Sequence, residues 1–134
     1  MSSTTETARV ALGLIADDDA RMRNAIRSVV HDLAREILEA TDGRMAVDVY
    51  IRHKPGWVTL DLAMSPVDGL TALQEIKASD PLACVIIVTA HDTPAFREVA
   101  RLAGAAGYVL KDDLSKIREV LVPPAASATT QATP

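Results

Sequence analysis

Short apolar runs alternate along this chain with segments whose apolar residues recur every three or four positions. The runs have the length of buried strands, and the periodic segments are typical of amphipathic helices. The predicted strands are Val10–Ala16, Glu36–Ala40, Trp57–Asp61, Ala83–Val88 and Gly107–Leu110. The predicted helices are Met22–Leu33, Arg44–Lys54, Gly69–Ser79, Thr93–Ala103 and Leu114–Leu121. Five strands that alternate with five helices predict an α/β three-layer sandwich around a parallel sheet.

One segment of the pattern fits two structures. Apolar residues between positions 44 and 54 alternate as in a strand, and they also fit one face of a helix. We predict a helix, because the parallel strand that follows requires a crossover. Asp42-Gly43 before this segment is a turn signal. Thr93 is predicted to cap the fourth helix, and Phe96 within that helix is expected in or near the core.

Length and composition describe one ordinary soluble domain. The 134 residues are 49% hydrophobic and 24% charged, and no apolar run approaches the length of a membrane span. We expect a folded unit at residues 9–122, a disordered N-terminus at 1–8 and a flexible Ala/Thr/Pro-rich tail at 123–134. A single cysteine and a polar start without a secretory pattern favour the cytoplasm. A net charge of −4 without a basic block argues against DNA binding by this chain alone.

Chemically active side chains follow four of the five predicted strands. They are Asp17 and Asp18, Asp61, Thr89, and Lys111. The carboxyl ends of parallel strands lie at one edge of a sheet, so these groups should converge on one site. Three neighbouring carboxylates need a cation, and a hard divalent ion such as Mg²⁺ suits all-oxygen ligands. A carboxylate, a metal, a lysine and a hydroxyl together are suited to transfer of a phosphoryl group.

The ordered spacing of these residues resembles the receiver domain of response regulators in two-component signalling. The similarity extends from about Arg9 to Leu121. It rests on Asp17-Asp18 followed by Met22-Arg23, on Asp61 followed by Asp68-Gly69, on Thr89-Ala90, and on Tyr108 three residues before Lys111. The resemblance implies a flavodoxin-like, doubly wound sheet with strand order 2-1-3-4-5.

The resemblance also implies a role for each matching residue. Asp61 would be the phosphoacceptor, with phosphate taken from the phosphohistidine of a sensor kinase or a phosphotransfer protein. Its implied metal ligands are Asp18, Asp61 and the backbone carbonyl of Ala63, with Asp17 acting through water. Lys111 would pair with the phosphoryl oxygens, Thr89 would move toward them, and Tyr108 would rotate inward.

Implied partners include an output protein or domain that recognises the face of the fourth helix, fifth strand and fifth helix, and a homodimer is left open. No membrane partner is implied. The only implied catalysis is that of the protein's own phosphorylation and dephosphorylation. In receivers, the positions of Ala63 and His91 border the phosphoryl group, so both are candidates for setting its lifetime.

The sequence departs from the family pattern at two positions. Ser65, followed by Pro66, stands where receivers usually have a proline, and Asp112 replaces the proline that often follows the lysine. The Lys111-Asp112 pair resembles receivers that carry a helix-turn-helix output domain. Two other functions compete with a phosphorylation switch. One is a phosphate-independent interaction module of the same fold. The other is a phosphatase of the haloacid-dehalogenase type, whose Asp-x-Asp-x-Thr/Val motif after the first strand is not matched by Asp17 to Arg21, where arginine stands at the last position.

Overall fold

The computed structural model describes residues 10–122, so the predicted terminal segments 1–8 and 123–134 lie outside the described residues. Five parallel strands form a sheet in the order β2-β1-β3-β4-β5. The strands are β1 (Val10–Ala16), β2 (Ala34–Ala40), β3 (Trp57–Leu60), β4 (Val85–Thr89) and β5 (Gly107–Leu110). The predicted flavodoxin-like topology is confirmed.

The helices that connect the strands are α1 (Ala20–Val30), α2 (Gly43–His53), α3 (Gly69–Ser79), α4 (Pro94–Leu102) and α5 (Lys116–Leu121). Side chains cap the first four of them, because each accepts a hydrogen bond from an N–H group of the first helical turn. These caps are Asp19, Asp42, Asp68 and Thr93. The cap predicted at Thr93 is confirmed, as is the helix preferred over a strand at residues 44–54.

Three predicted boundaries are wrong by a few residues. Leu33 belongs to a short 3₁₀ turn, His31–Leu33, and β2 begins at Ala34 directly after it. β4 begins at Val85, two residues later than predicted. Asp42-Gly43 is a helix start, because the Asp42 carboxylate accepts from Met45 N–H at 2.9 Å.

Two apolar layers cover the faces of the sheet. One layer joins the sheet to α2, α3 and α4, and it contains the buried residues Leu14, Tyr50, Leu60, Leu73, Ile87 and Ala100. The other joins it to α1 and α5 through Ile15, Ile26, Trp57, Val109 and Ile117. Burial of these side chains supplies most of the driving force for folding. Packing on both faces of the sheet holds the strands, and so the residues at their ends, in place.

The fourth helix buries less than its periodicity predicts. Phe96 is 46% exposed and Val99 is 40% exposed, whereas Ala100 is buried. The expectation that Phe96 lies in or near the core is therefore wrong. An apolar stripe identifies a helix, but it does not show whether the rest of the same chain covers that stripe. Separately, the part of the chain that the structure describes has no helix with the length and apolarity needed for a membrane span.

Thr59, in the centre of β3, provides a test of the core. Its side chain is fully buried between cross-strand neighbours Ile15 and Ile86, and its hydroxyl has no hydrogen-bond partner among residues 10–122. Thr59→Val should raise the free energy of unfolding by about 1 kcal/mol, because a methyl group replaces a desolvated hydroxyl. Urea unfolding followed by tryptophan fluorescence checks this, with Thr71→Val on the exposed surface of α3 as a control expected to change little.

Candidate functional site

Three carboxylates meet where β1 and β3 end. Asp17 and Asp18 follow β1, Asp61 follows β3, and these two strands are hydrogen-bonded neighbours. One carboxylate oxygen of each residue lies within 4.8 Å of those of the other two. Asp17 and Asp61 are buried, with exposures of 0% and 3%, whereas Asp18 is exposed. The structure thus brings together the acidic groups that the sequence predicted, in a pocket open on one side.

Lys111 reaches this pocket from the end of β5. Its Nζ lies 3.0 Å from Asp17 Oδ2 and 3.2 Å from Asp61 Oδ2, so one ammonium group bridges the two buried carboxylates. The lysine side chain is 20% exposed. Strand β5 is two strands away from β3, and the long lysine stem spans that distance. The predicted convergence of Lys111 on the acidic groups is confirmed by this geometry.

The pocket holds opposing electrostatic effects. Burial raises the pKa of Asp17, and this effect exceeds the opposite effects of the Asp19 N–H and of Lys111. Burial alone would lower the pKa of Lys111, but its close contacts with the Asp17 and Asp61 carboxylates raise it overall. The lysine therefore remains a cation, while the charged form of Asp17 is disfavoured. The single positive charge of Lys111 does not balance the three carboxylates of the pocket.

The donor set fits a hard divalent cation. The Asp17 Oδ2 atom is buried and, within residues 10–122, has no hydrogen bond of good geometry, although Lys111 lies beside it. Carboxylate oxygens grouped at this spacing are the ligands that Mg²⁺ prefers, together with retained water. The residues present therefore fit the predicted ion. The Ala63 carbonyl as a further ligand stays a prediction, because the contacts of Ala63 that the structure gives concern its N–H group.

The loop after Asp61 depends on close backbone contacts. Ala63 N–H donates to Asp61 Oδ1 at 3.3 Å, and Gly69 N–H donates to the Leu62 carbonyl at 3.1 Å. A Cβ atom at Gly69 would overlap the Asp61 carbonyl oxygen. Glycine is therefore required at the start of α3 for the helix to pack this near the acidic pocket. The altered pair Ser65-Pro66 lies within this loop and is joined by a cis peptide bond.

Thr89 and Tyr108 are joined through the backbone of His91. The buried Thr89 hydroxyl accepts from His91 N–H at 3.1 Å, and Tyr108 donates its hydroxyl proton to the His91 carbonyl at 2.7 Å. Tyr108 is half-buried, and its hydrogen bond packs the ring from β5 against the loop between β4 and α4. Neither residue forms a hydrogen bond to the acidic residues within the described part of the chain. Their predicted movements stay predictions.

His91 and Ala63 line the same shallow cleft. The cleft lies beside the acidic pocket and is bordered by Leu62, Ala63, Asp68, Leu70, His91 and Phe96. Most of its surface is apolar, and Phe96 accounts for part of the apolar area that α4 leaves uncovered. The two positions that the resemblance places near a phosphoryl group are thus neighbours in space.

Arg23 and Glu39 were not predicted as site residues. Arg23 donates to the Asp17 carbonyl at 2.8 Å and to Glu39 Oε1 at 2.7 Å, and Arg27 donates to the other Glu39 oxygen at 2.5 Å. The hydrogen bond from Arg27 lowers the pKa of Glu39 against the opposing effect of burial. This network ties the end of β1 to β2 and α1. The Met22-Arg23 pair was the sequence signal that could have indicated a role for Arg23. Its partner Glu39 lies 16 residues further along the chain, so spacing did not reveal the contact.

Fold and pocket together define a class of protein. A doubly wound sheet of order 2-1-3-4-5 carries, at the carboxyl ends of its strands, an acidic pocket bridged by a lysine. The family model of the response regulator receiver domain matches residues 14–122. The chain belongs to this family, whose members are signalling modules of two-component systems and are generally not enzymes.

Similar proteins include both single receivers and longer regulators. Chemotaxis protein CheY from Bacillus subtilis (strain 168) is 38% identical over 99 residues, covering 73% of this chain and 82% of CheY. Transcriptional regulatory protein PdtaR from Mycobacterium tuberculosis is also 38% identical over 99 residues, which cover 73% of this chain but only 48% of PdtaR.

Among solved structures, the CheX-CheY-BeF3-Mg+2 complex from Borrelia burgdorferi contains a similar chain. The TM-score is 0.78 at 28% identity, with 87% of this chain and 90% of that chain covered. The signal receiver domain of the putative response regulator NarL from Mycobacterium tuberculosis gives a TM-score of 0.73 at 25% identity, with 87% and 99% covered.

Proposed function

We propose that residues 9–122 form a phosphorylation-switched receiver that accepts a phosphoryl group on Asp61. The observation that carries the proposal is the position of the buried Asp61 carboxylate. It lies between the Lys111 ammonium group and two further carboxylates at an open edge of the sheet. Burial of a carboxylate beside like charges destabilises the fold. The retention of Asp61 at this position therefore supports a functional role.

In the proposed reaction, an Asp61 carboxylate oxygen attacks the phosphorus of a phosphohistidine on a sensor kinase or phosphotransfer protein. The new O–P bond forms as the P–N bond breaks, and the imidazole leaves with the bonding electron pair and takes a proton. Lys111 lies beside Asp61 and would stabilise the charge of the transferred group. A bound Mg²⁺, held by Asp18 and Asp61 with Asp17 acting through water, would neutralise charge on the phosphoryl oxygens.

The proposed output begins at Thr89. If its hydroxyl turns toward the new phosphoryl group, the bond from His91 N–H is lost, and the loop that also holds Tyr108 must adjust. The surface formed by α4, β5 and α5 would carry this change to an output protein or domain. The similar CheY chain forms a complex with CheX, BeF3 and Mg+2, and this supports a phosphate-dependent partner here. Ala63 and His91, in the neighbouring cleft, would influence access of water to the phosphoryl group.

Exposure of the protein to acetyl phosphate tests this function. With Mg²⁺ we expect the intact mass to increase by one phosphoryl group, with peptide mapping after chemical trapping placing it on Asp61. Chelation of Mg²⁺ should prevent the increase. Absence of both phosphate uptake and any response to beryllium fluoride would instead support a phosphate-independent interaction module. Sustained turnover of p-nitrophenyl phosphate would support a phosphatase.

A further inference from the structure

Two contacts restrain the ring of Tyr108, and a third contact holds the side chain that makes one of them. Its hydroxyl donates to the His91 carbonyl at 2.7 Å. The guanidinium carbon of Arg97, on α4, lies 4.7 Å from the centre of the ring. Arg97 Nε is itself held 2.9 Å from Asp92 Oδ1. The ring on β5 is therefore fixed at its edge by a loop carbonyl and on its face by a charged side chain.

These contacts form a connected path around the loop between β4 and α4. His91 and Asp92 are consecutive residues of that loop, and His91 N–H also contacts the Thr89 hydroxyl. Arg97 thus contacts the loop through Asp92 and also contacts the Tyr108 ring. The same loop binds the Tyr108 hydroxyl through the His91 carbonyl. A movement of Tyr108 away from the loop would break both the hydrogen bond and the stacking contact.

We propose that Arg97 is a positioning residue that holds Tyr108 against the β4–α4 loop before any phosphate arrives, and so sets the resting balance of the switch. The role of Tyr108 as a switch residue rests on the proposed function. The contact between Arg97 and the ring does not. Asp92 orients the guanidinium group, because its carboxylate fixes Nε while the planar group stacks on the aromatic face.

The electrostatic surroundings of the ring support this arrangement. Burial raises the pKa of the Tyr108 hydroxyl, while the positive charge of Arg97 acts in the opposite direction and Asp92 acts with burial. Arg97 and Asp92 are 45% and 54% exposed, so solvent weakens their interaction. A cation–π contact at such a site corresponds to about a two- to fivefold change in a population ratio. This is enough to change resting activity without fixing the switch permanently.

Arg101, on the same helix, offers a matched control. Its guanidinium group pairs with Glu98 through Nε and Nη2, and its contacts within the described chain do not include the Tyr108 ring. Arg97→Gln and Arg101→Gln therefore remove the same charge from α4. Only the first substitution removes a contact with the ring.

Tyrosine-selective NMR on the unphosphorylated protein tests the proposal. The chain has two tyrosines, and Tyr50 is a buried internal reference bonded to Asp80. Arg97→Gln should shift the Tyr108 ring signals and make the ring more accessible to a photoexcited dye. The ratio of Tyr108 rings released from the loop to rings held against it should rise about two- to fivefold. Tyr50 should stay unchanged. Arg97→Lys should restore part of the effect, because an ammonium group also binds an aromatic face.

Two results would overturn the positioning role: unchanged Tyr108 signals in Arg97→Gln, or an equal change in Arg101→Gln. Beryllium fluoride then separates this inference from the proposed function. If Arg97→Gln releases Tyr108 but beryllium fluoride moves no Tyr108 signal in the wild type, the contact is real and the switch function fails. If beryllium fluoride moves Tyr108 while Arg97→Gln does not, the switch stands and the role of Arg97 fails.

Discussion

Asp61→Asn should take up no phosphate from acetyl phosphate in the presence of Mg²⁺, while the wild-type protein gains one phosphoryl group. The amide lacks the charged oxygen that attacks phosphorus, so uptake should fall to background rather than merely slow. The fold should survive, because Asn has nearly the same shape and can still accept the Ala63 N–H bond. Lys111 also keeps its contact with Asp17 in this variant. Intact-mass spectrometry over a time course measures the effect.

Asp112→Asn is the matched control for this experiment. Asp112 is exposed, directly follows Lys111 and lies outside the group of three carboxylates. Its replacement changes the net charge by the same amount as Asp61→Asn and should leave phosphate uptake intact. Continued Mg²⁺-dependent uptake by Asp61→Asn would show that another residue is the acceptor.

The strand-end residues were predictable because topology alone positions them. Asp17, Asp61 and Lys111 each come directly after an apolar run, and parallel strands must deliver such residues to one edge of the sheet. The sequence did not predict that one ammonium group would bridge both buried carboxylates, at 3.0 Å and 3.2 Å. That detail depends on how far the lysine stem extends across β4.

The errors in the fold have equally local causes. An aspartate followed by glycine can form a turn or begin a helix, since both use the carboxylate to accept a backbone N–H. Asp42 takes the second role, and the Gly43 N–H donates to the Val67 carbonyl of the loop after Asp61. Periodicity placed Phe96 on an apolar stripe, but the described chain covers little of it.

Arg23 and Arg97 show the limit of reasoning from sequence. Each contributes through a partner that spacing does not reveal: Glu39 on β2 for Arg23, and the Tyr108 ring for Arg97. On a helix, an arginine is first interpreted as a solvated charge, because most are exposed. Only coordinates distinguish such an arginine from one that positions a functional group.

Lys111→Met should lower the free energy of unfolding by about 3 kcal/mol when Mg²⁺ is chelated, since it leaves Asp17 buried without its cation. Methionine keeps the apolar stem of the lysine, so the loss reports charge rather than packing. Urea unfolding followed by the fluorescence of Trp57, the single and buried tryptophan, measures it. A midpoint equal to that of the wild type would contradict the prediction.

A second substitution identifies Asp17 as the source of this loss. Asp17→Asn in the Lys111→Met background should recover much of the stability, because it removes the buried charge that the lysine had balanced. Excess Mg²⁺ should stabilise Lys111→Met more than the double variant, which has lost one of the three carboxylates. Equal stability of the single and double variants in chelator would mean that Asp17 carries no such penalty.

The pH dependence of Lys111→Met follows from the same carboxylate. The pKa of Asp17 is already raised by burial above its ordinary value of 3.8, and removal of Lys111 should raise it further. A carboxyl group with a raised pKa binds its proton more tightly in the folded state, so its penalty is fully present above the folded pKa. The penalty disappears as the pH falls through the folded pKa toward the ordinary value. The difference in unfolding free energy between Lys111→Met and the double variant should therefore narrow on acidification. A difference independent of pH would assign the loss to packing rather than to the buried charge.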